Sequence, residues 1–226
     1  MKIKYLGQSS LQIETMGITI IVDPMIRPNP LASQIEITQL KADYILLTHG
    51  HYDHVADALE IAQKNDATLI ANYEVATWYE NQGIKVHSMN TGGKFVFDFG
   101  TLKMVTAIHS STLPDGSSGG SAGGFVLWND EGTIYIAGDT ALTYDMKLIA
   151  MTCPKLDLAI LPIGDNYTMG YEDALIAADF IECDRIVGYH FDTFPWIEID
   201  HNKALEHFAK NNKQLTLPKV GDEISL

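Results

Sequence analysis

Residues Tyr44-Ile45-Leu46-Leu47-Thr48-His49-Gly50-His51-Tyr52-Asp53-His54 decide which fold and which chemistry the chain is expected to have. The apolar positions 44–47 predict a buried strand, and the apolar pattern that follows from Val55 predicts the start of a helix. Gly50 has no Cβ atom, so the backbone can turn sharply between the two. The turn carries four side chains that divalent transition metals prefer as ligands, namely His49, His51, Asp53 and His54. The sequence therefore predicts a metal site at a strand end.

The composition limits the class of protein. With 226 residues, 46% of them hydrophobic, the chain is long enough for one large domain spanning residues 1–226. Its formal net charge of −14, with no run of Lys and Arg, predicts that nucleic acids are not partners. Only Cys153 and Cys183 are present and they lie far apart, so no disulfide framework is expected and a reducing compartment fits.

The start of the chain turns polar too soon for the core of a signal peptide. No apolar run approaches the ~20 residues that a membrane-spanning helix needs. We therefore expect a cytoplasmic protein with no membrane partner. Since nucleic acids are not expected as partners either, any substrate should be a small molecule.

The order of predicted elements is typical of an α/β protein. Short runs rich in β-branched residues at 2–6, 10–13 and 19–22 predict an antiparallel meander. Beyond the His-rich turn, predicted strands alternate with predicted helices at 57–64, 73–82, 144–151, 171–182 and 201–211. The segment 28–39 is predicted to be a loop, either near a site or a plain connector. The Gly/Ser-rich segment 115–124 is predicted to be a loop rather than a linker, because strands of the same apolar character resume after it.

Candidate ligands follow three further apolar runs of the chain. His109, Asp139 and His190 each stand just after a predicted buried strand. Strand-end loops of a layered α/β sheet open on one edge, where ligands collect, so we expect these residues to join the His-rich turn. The resulting seven donors are enough for two metal ions with one carboxylate left to bridge them. Three other histidines lack this placement and are left out of the site, namely His87, His201 and His207.

Two further carboxylates, Asp23 and Asp165, also stand at predicted strand ends. Carboxylates in such positions orient metal-bound imidazoles or hold a bound water, and we expect that supporting role for both. For Asp23, which precedes Pro24, a plain turn residue is the alternative interpretation.

Taken together, these motifs resemble the five successive motifs of the metallo-β-lactamase superfamily, in the same order along the chain. The motifs are Val22-Asp23-Pro24, the His-rich turn, His109, Gly138-Asp139-Thr140 and His190. Within the superfamily, further segments resemble a bacterial family of metal-dependent hydrolases related to the ascorbate-6-phosphate lactonases; these are 71–72, 89–93, 109–111, 137–140, 161–170 and 190–195. The resemblance implies a four-layer αββα sandwich with the site at the edge between two sheets.

The resemblance also implies how the ligands are shared. His49, His51 and His109 would hold the first metal, Asp53, His54 and His190 the second, and Asp139 would bridge both. Flavodiiron oxidoreductases of this fold carry Glu where this chain has His51, which disfavours a diiron redox site. Zinc is the first expectation for both ions, while manganese, iron and nickel are compatible with the same ligand types.

These ligands predict a hydrolase in which two divalent ions activate a water molecule against a small ester, lactone or phosphodiester. Asp53 is the expected catalytic residue, since a carboxylate beside two cations stays ionised and can accept or relay a proton. Two alternatives stay open, an iron-dependent oxidoreductase with the same ligands and a metal-binding protein without catalysis.

Overall fold

The computed structural model describes all residues, 1–226, and contains two seven-stranded sheets. In chain order the strands are β1 (Lys2–Gly7), β2 (Ser10–Thr15), β3 (Ile18–Val22), β4 (Tyr44–Leu46), β5 (Thr68–Asn72), β6 (Val86–Met89), β7 (Lys94–Phe97), β8 (Gly100–Thr106), β9 (Gly123–Asn129), β10 (Gly132–Ile136), β11 (Leu158–Pro162), β12 (Arg185–Tyr189), β13 (Gln214–Thr216) and β14 (Glu223–Ser225). The helices are α1 (Tyr52–Val55), α2 (Ala58–Asn65), α3 (Tyr73–Glu80), α4 (Lys147–Thr152), α5 (Tyr171–Phe180) and α6 (His201–Lys210). Four 3-10 helices cover Pro30–Ala32, Ile37–Gln39, Tyr144–Met146 and Pro195–Ile197.

The two sheets share one plan, each half antiparallel and half parallel. The first has the order β14-β1-β2-β3-β4-β5-β6, and its pairing changes from antiparallel to parallel after β3. The second has the order β13-β12-β11-β10-β9-β8-β7, and its parallel half runs from β10 to β13. The predicted N-terminal meander is confirmed as β1, β2 and β3. Parallel strands that end at one edge place their following loops side by side, which is how ligands from distant positions meet.

Three apolar cores define four layers. A central core joins the inner faces of both sheets through side chains such as Ile13, Phe99, Phe125 and Ile160. One outer core packs α2 and α3 on the first sheet, with Ile61 and Tyr79 among its members. The other packs α5 and α6 on the second sheet. The expected αββα sandwich is therefore confirmed.

The five predicted helices occur close to their predicted positions, with one difference. The predicted helix at 144–151 begins as a 3-10 turn and becomes α-helical only at Lys147. The short strand β13 was not predicted, because three residues with one buried apolar side chain, Leu215, give no measurable alternation. The predicted strand at 84–86 starts later, at Val86. No helix in the structure combines the length and the apolar composition needed to cross a bilayer.

The Gly/Ser-rich segment 115–124 forms a loop that the first sheet holds in place. The side chain of Asn72 accepts a hydrogen bond from the backbone of Val75 and so caps α3. Its amide also donates to the carbonyl oxygens of Gly119 and Ser121, at 2.6 and 2.7 Å. One side chain thus fixes both a helix start and the loop that leads into β9.

We predict that the central core carries much of the stability. Phe125 on β9 is fully buried between the sheets, so Phe125→Ala should lower the free energy of unfolding by about 3–5 kcal/mol through lost apolar burial and the cavity left behind. Urea denaturation of both proteins measures the difference. Met151→Ala, on the exposed face of α4, is the control and should change stability by less than about 0.5 kcal/mol. Equal effects of the two substitutions would contradict the assignment of the core.

Candidate metal centre

The predicted ligands all lie in the segments that follow strands of the two sheets. β4 leads into the turn that carries His49, His51, Asp53 and His54, while Asp139 follows β10 and His190 follows β12. His109 stands three residues beyond β8. The structure brings all seven together in two groups, within each of which the ligand atoms lie within 4.8 Å of one another. These groups are the pair of ligand sets that the sequence resemblance implies.

The first group consists of His49, His51 and His109. The ring centroids of His51 and His109 lie 4.6 and 5.1 Å from that of His49, and the rings meet edge to face. Burial lowers the pKa of all three imidazoles, and it lowers that of His49 most clearly. The neutral imidazole that results is the form that binds a metal ion.

The second group consists of Asp53, His54, Asp139 and His190. One oxygen of Asp139, Oδ1, lies 3.3 Å from Nε2 of His54. Its other oxygen, Oδ2, lies 3.1 Å from Nε2 of His190 and 3.6 Å from Nε2 of His109 in the first group. Asp139 is therefore a carboxylate that contacts both groups, which is the position a bridging carboxylate needs.

The charges of the second group differ from those of the first. Burial alone would disfavour a protonated His54, but the carboxylates of Asp139, Asp53 and Asp23 outweigh it and raise the pKa of His54 well above its usual value. Burial likewise opposes charge on His190, yet Asp139 raises the pKa of His190 to about 9. Without a metal ion, protons on these imidazoles balance the buried carboxylates. A divalent cation that binds here must displace them.

Several buried polar atoms of the cluster lack hydrogen-bond partners. They are Nε2 of His49, Nε2 of His54, Oδ1 of Asp139 and Nδ1 of His190. Buried polar atoms in folded proteins are nearly always hydrogen-bonded, so unpartnered atoms within one ligand cluster need an explanation. A set of imidazole nitrogens and carboxylate oxygens that share a small space fits divalent cations such as zinc. The residues present therefore suit the metal ions that the sequence predicts.

Asp23 lies directly behind the second group, in contact with His54. Its Oδ2 is 2.8 Å from Nδ1 of His54, and it also accepts a hydrogen bond from the hydroxyl of Thr48 at 2.6 Å. Its Oδ1 accepts from the backbone N–H of Thr48. A carboxylate bonded to one ring nitrogen fixes the tautomer of a histidine and presents the other nitrogen, here Nε2 of His54, to a metal.

The structure does not bring Asp165 to the ligand cluster. This residue is exposed, its backbone lies in the left-handed region, and its carboxylate accepts a hydrogen bond from the N–H of Asn166. It makes no hydrogen bond or ion pair with a histidine of the cluster. Asp165 stands three residues after β11, as Asp139 does after β10, but its N–H donates to the carbonyl of Met169 and it lies in a separate turn outside the cluster. Its role in the fold is that of a turn residue.

Gln8 is a site residue that the sequence did not reveal. This buried residue lies in the turn between β1 and β2, and its side-chain amide donates to Oδ2 of Asp53 at 3.0 Å. Its backbone carbonyl accepts from the N–H of His190 at 3.0 Å and from the hydroxyl of Tyr5. Gln8 thus holds two members of the second group at once. The one available signal was a run of polar residues, 8–10, in a turn between two apolar strands.

The two sheets meet closely beside the ligands. Gly138 has a φ of +67°, and a Cβ atom there would lie 2.8 Å from the carbonyl oxygen of Gly123 and 2.9 Å from Cβ of Thr48. The N–H of Gly123 donates to the carbonyl of Thr48 at 3.1 Å. Only glycine allows the ends of β10 and β4 to approach in this way, and that approach brings Asp139 to the histidines of the turn.

The serines that follow His109 serve different purposes. The Ser110 hydroxyl lies 3.2 Å from Nε2 of His51. The Ser111 hydroxyl accepts a hydrogen bond from the N–H of Gly50 and donates to the carbonyl of Gly119, both at 3.0 Å. Ser111 therefore fixes the bend of the His-rich turn.

A cavity of about 550 Å³ opens over the cluster. Five of the ligands line it, together with a serine, four aromatic residues and a proline; these six are Tyr52, Ser110, Tyr167, Phe194, Pro195 and Trp196. No residue of the loop 28–39 lines the cavity, so that loop is a connector rather than part of the site.

The three excluded histidines lie outside both groups of ligands. His201 is half exposed and its Nε2 contacts the carboxylate of Asp192 at 2.5 Å. The ring of His87 packs at an angle against those of Phe95 and Phe97, and His207 packs beside Tyr171.

We predict that Gln8→Leu weakens binding of the ion held by Asp53, His54 and His190 by about 10–100-fold, because Asp53 loses the group that orients it. Calorimetric titration of chelator-treated protein with zinc measures the two binding steps. Gln12→Leu is the matched control, since Gln12 on β2 hydrogen-bonds only Glu14 and should leave both steps unchanged. Unaltered zinc affinity in Gln8→Leu would show that Gln8 has no positioning role.

We also predict that the metal-free protein loses stability as the pH rises. The pKa of His190 is raised from 6.5 to about 9, so its stabilising contribution is complete below pH 6.5 and disappears as the pH passes 9. The pKa of His54 is shifted in the same direction. The free energy of unfolding, measured with urea in a chelator, should fall over this range by an amount on the order of a few kcal/mol. His190→Asn should show a smaller fall, and a stability that rises with pH would contradict the assignment.

Comparison with known proteins agrees with this geometry. A family model described as the beta-lactamase superfamily domain matches residues 19–191. A UPF0173 metal-dependent hydrolase of Flavobacterium johnsoniae is 56% identical over 226 residues, and the match covers 100% of both chains. Its counterpart in Christiangramia forsetii is 53% identical over 227 residues, again with 100% of both chains covered.

A solved structure extends the agreement to three dimensions. Igni18, described as a novel metallo hydrolase from the hyperthermophilic archaeon Ignicoccus hospitalis KIN4/I, matches with a TM-score of 0.90 and 29% sequence identity. The match covers 100% of this chain and 97% of that chain. The family model and the full-length relatives therefore show that this chain belongs to the UPF0173 family of metal-dependent hydrolases, within the β-lactamase superfamily.

Proposed function

We propose that the seven ligands hold two divalent metal ions, in the first place zinc, and that the protein uses them to hydrolyse a small ester, lactone or phosphodiester. The observation that carries this proposal is the position of Asp139, whose two oxygens contact imidazoles of both ligand groups. The unpartnered buried atoms of His49, His54 and Asp139 support it, because a cation would satisfy them.

When bound, the ions would supply a water molecule made acidic enough to act as a nucleophile near neutral pH, and they would polarise the bond that breaks. The chain's own residues prepare for this. Burial keeps His49, His51 and His109 neutral by lowering their pKa, so no proton competes for their ligand nitrogens. Asp23 and Gln8 hold His54 and Asp53 in the orientations that ligation needs.

Asp53 is the proposed proton acceptor. It lines the cavity, and its side chain keeps 26% of its surface exposed, whereas that of Asp139 is buried. Burial opposes ionisation, but His54 and His190 hold the pKa of Asp53 well below its usual value, so the carboxylate stays ionised. The amide of Gln8 and the ring of His190 both lie against Oδ2 of Asp53. Oδ1 carries none of these contacts and is the atom at which a proton would be accepted.

We predict that Asp139→Asn loses one of two bound ions and at least about a hundredfold in turnover, because the substitution keeps the shape but removes a charge between two dications. Elemental analysis of protein purified without chelator gives the metal identity and stoichiometry, and turnover is followed on aryl ester, lactone and phosphodiester substrates. Asp130→Asn is the control, since Asp130 is exposed in the turn between β9 and β10 and forms no ion pair.

The same measurements separate the alternatives. Two ions together with full turnover in Asp139→Asn would overturn the bridging role. Iron alone in the purified protein, with redox activity but no hydrolysis, would favour the oxidoreductase. Stoichiometric metal without turnover of any substrate would favour a binding protein without catalysis.

A further inference from the structure

The residues that line the cavity outside the metal ligands are mostly aromatic. Above the metal ligands, the lining is aromatic and apolar, with Tyr52, Tyr167, Phe194, Pro195 and Trp196 around the opening. None of the fifteen Lys and Arg residues of the chain lines it. A substrate that enters the cavity therefore meets rings and hydroxyl groups on its way to the metal ligands, and no cationic side chain.

The aromatic residues remain exposed although they are large. Trp196 keeps 73% of its surface accessible, Tyr52 60% and Tyr167 55%. They come from separate segments of the chain and yet surround one opening. Exposed apolar groups scattered singly need no explanation, but a cluster around a cavity marks a binding surface.

The segment that carries Phe194 and Trp196 is anchored to the rest of the protein. The N–H of Ile197 donates to the carbonyl of Phe194, and the N–H of Asp192 donates to the carbonyl of Ile197. Ile197 itself is fully buried, which ties the 3-10 helix Pro195–Ile197 to the protein. The backbone that carries Trp196 is therefore fixed, while its ring lines the cavity and stays exposed. Rigid aromatic rings bind flat or apolar groups at a low cost in conformational entropy.

Two basic side chains on the helices of the second sheet have partners outside the cavity. Lys203 on α6, the nearest in sequence to Trp196, pairs with Asp200. Lys147 lies over the rings of Tyr144 and Phe180, outside the cavity. The chain as a whole carries a formal charge of −14. A phosphate, sulfonate or carboxylate placed away from the reacting bond would lose part of its hydration without gaining a counter-charge.

We infer that the substrate is an uncharged carboxylic ester or lactone that bears a flat or extended apolar group, and that Trp196 and its aromatic neighbours select it. The inference rests on the proposed hydrolytic function. In the reaction, the oxygen of one water forms the new bond to the acyl carbon, the bond from that carbon to the leaving oxygen breaks, and a proton passes to the leaving oxygen. The products are an acid and an alcohol, or a hydroxy acid when the substrate is a lactone.

A matched pair of lactones tests the inference. Dihydrocoumarin is neutral and flat, and its ring-sulfonated derivative adds one remote negative charge and a weak metal ligand. The sulfonate also makes the lactone intrinsically more reactive, so a preference for the neutral compound cannot come from reactivity. We expect kcat/KM of the zinc-loaded enzyme to be at least about ten-fold higher for dihydrocoumarin.

Variants at the rim identify the selecting residue. Trp196→Ala should lower kcat/KM for dihydrocoumarin by about five-fold or more and leave that for the sulfonate little changed. Trp196→Arg should raise kcat/KM for the sulfonate by about ten-fold, because it supplies the missing counter-charge. Val96→Arg is the matched control, since Val96 is 71% exposed on β7 and lies outside the cavity. It should leave the ratio of the two lactones unchanged.

Equilibrium binding gives a readout that does not depend on turnover. The unreactive lactams that correspond to the two lactones are titrated into zinc-loaded protein by calorimetry, and the neutral lactam should bind at least about ten-fold more tightly. Equal or tighter binding of the sulfonated lactam would overturn the inference, as would faster turnover of bis(nitrophenyl) phosphate than of nitrophenyl acetate. Binding with the expected preference but no hydrolysis of any ester would overturn the proposed function and leave the recognition of neutral ligands standing.

Discussion

The buried carboxylate of Asp139 is the interaction on which the rest of the site depends. It lies at the end of β10 in the second sheet, yet its oxygens contact His54 from the first sheet and His190 from the second. A buried charge of this kind is costly unless cations or hydrogen bonds surround it. The surrounding imidazoles, with the pKa of His54 and His190 raised, supply that compensation when no metal is bound. The close approach of Gly138 to Thr48 is what puts the carboxylate there.

Hydrogen bonds behind the ligands make this arrangement rigid. Both Asp23 and His190 have a positive φ, of 42° and 55°, a conformation that costs non-glycine residues about 1–2 kcal/mol. Asp23 is held there by Thr48 from the neighbouring strand end of the same sheet, and His190 by the carbonyl of Gln8 from the other sheet. The rest of the fold offsets the cost of these two backbone conformations. The ligands are therefore already oriented before any ion binds, and binding needs little rearrangement.

The sequence was sufficient for the alternation of strands and helices and for the seven candidate ligands, because both depend on local signals: apolar runs of known length, and His or Asp soon after them. The four layers were expected from its resemblance to a known superfamily. The sequence was not sufficient for Gln8, whose role depends on a turn that packs against a strand end from the other sheet. It did not separate Asp165 from the other candidates, because Asp165 follows its strand at the same distance as Asp139, and only the turn that it enters leaves it outside the cluster. Sequence patterns locate residues along a strand, but the contacts between sheets decide which of them reach the site.

The aromatic rim around the cavity has a consequence for the behaviour of the protein in concentrated solution. Rings such as Trp196 and Tyr52, left open to water, would also adhere to the rims of neighbouring molecules. The net charge of −14 opposes this, because identical molecules repel one another at distances up to about 8–10 Å at physiological ionic strength. The acidity of the chain says nothing about catalysis, but it opposes self-association of the protein through its exposed aromatic residues.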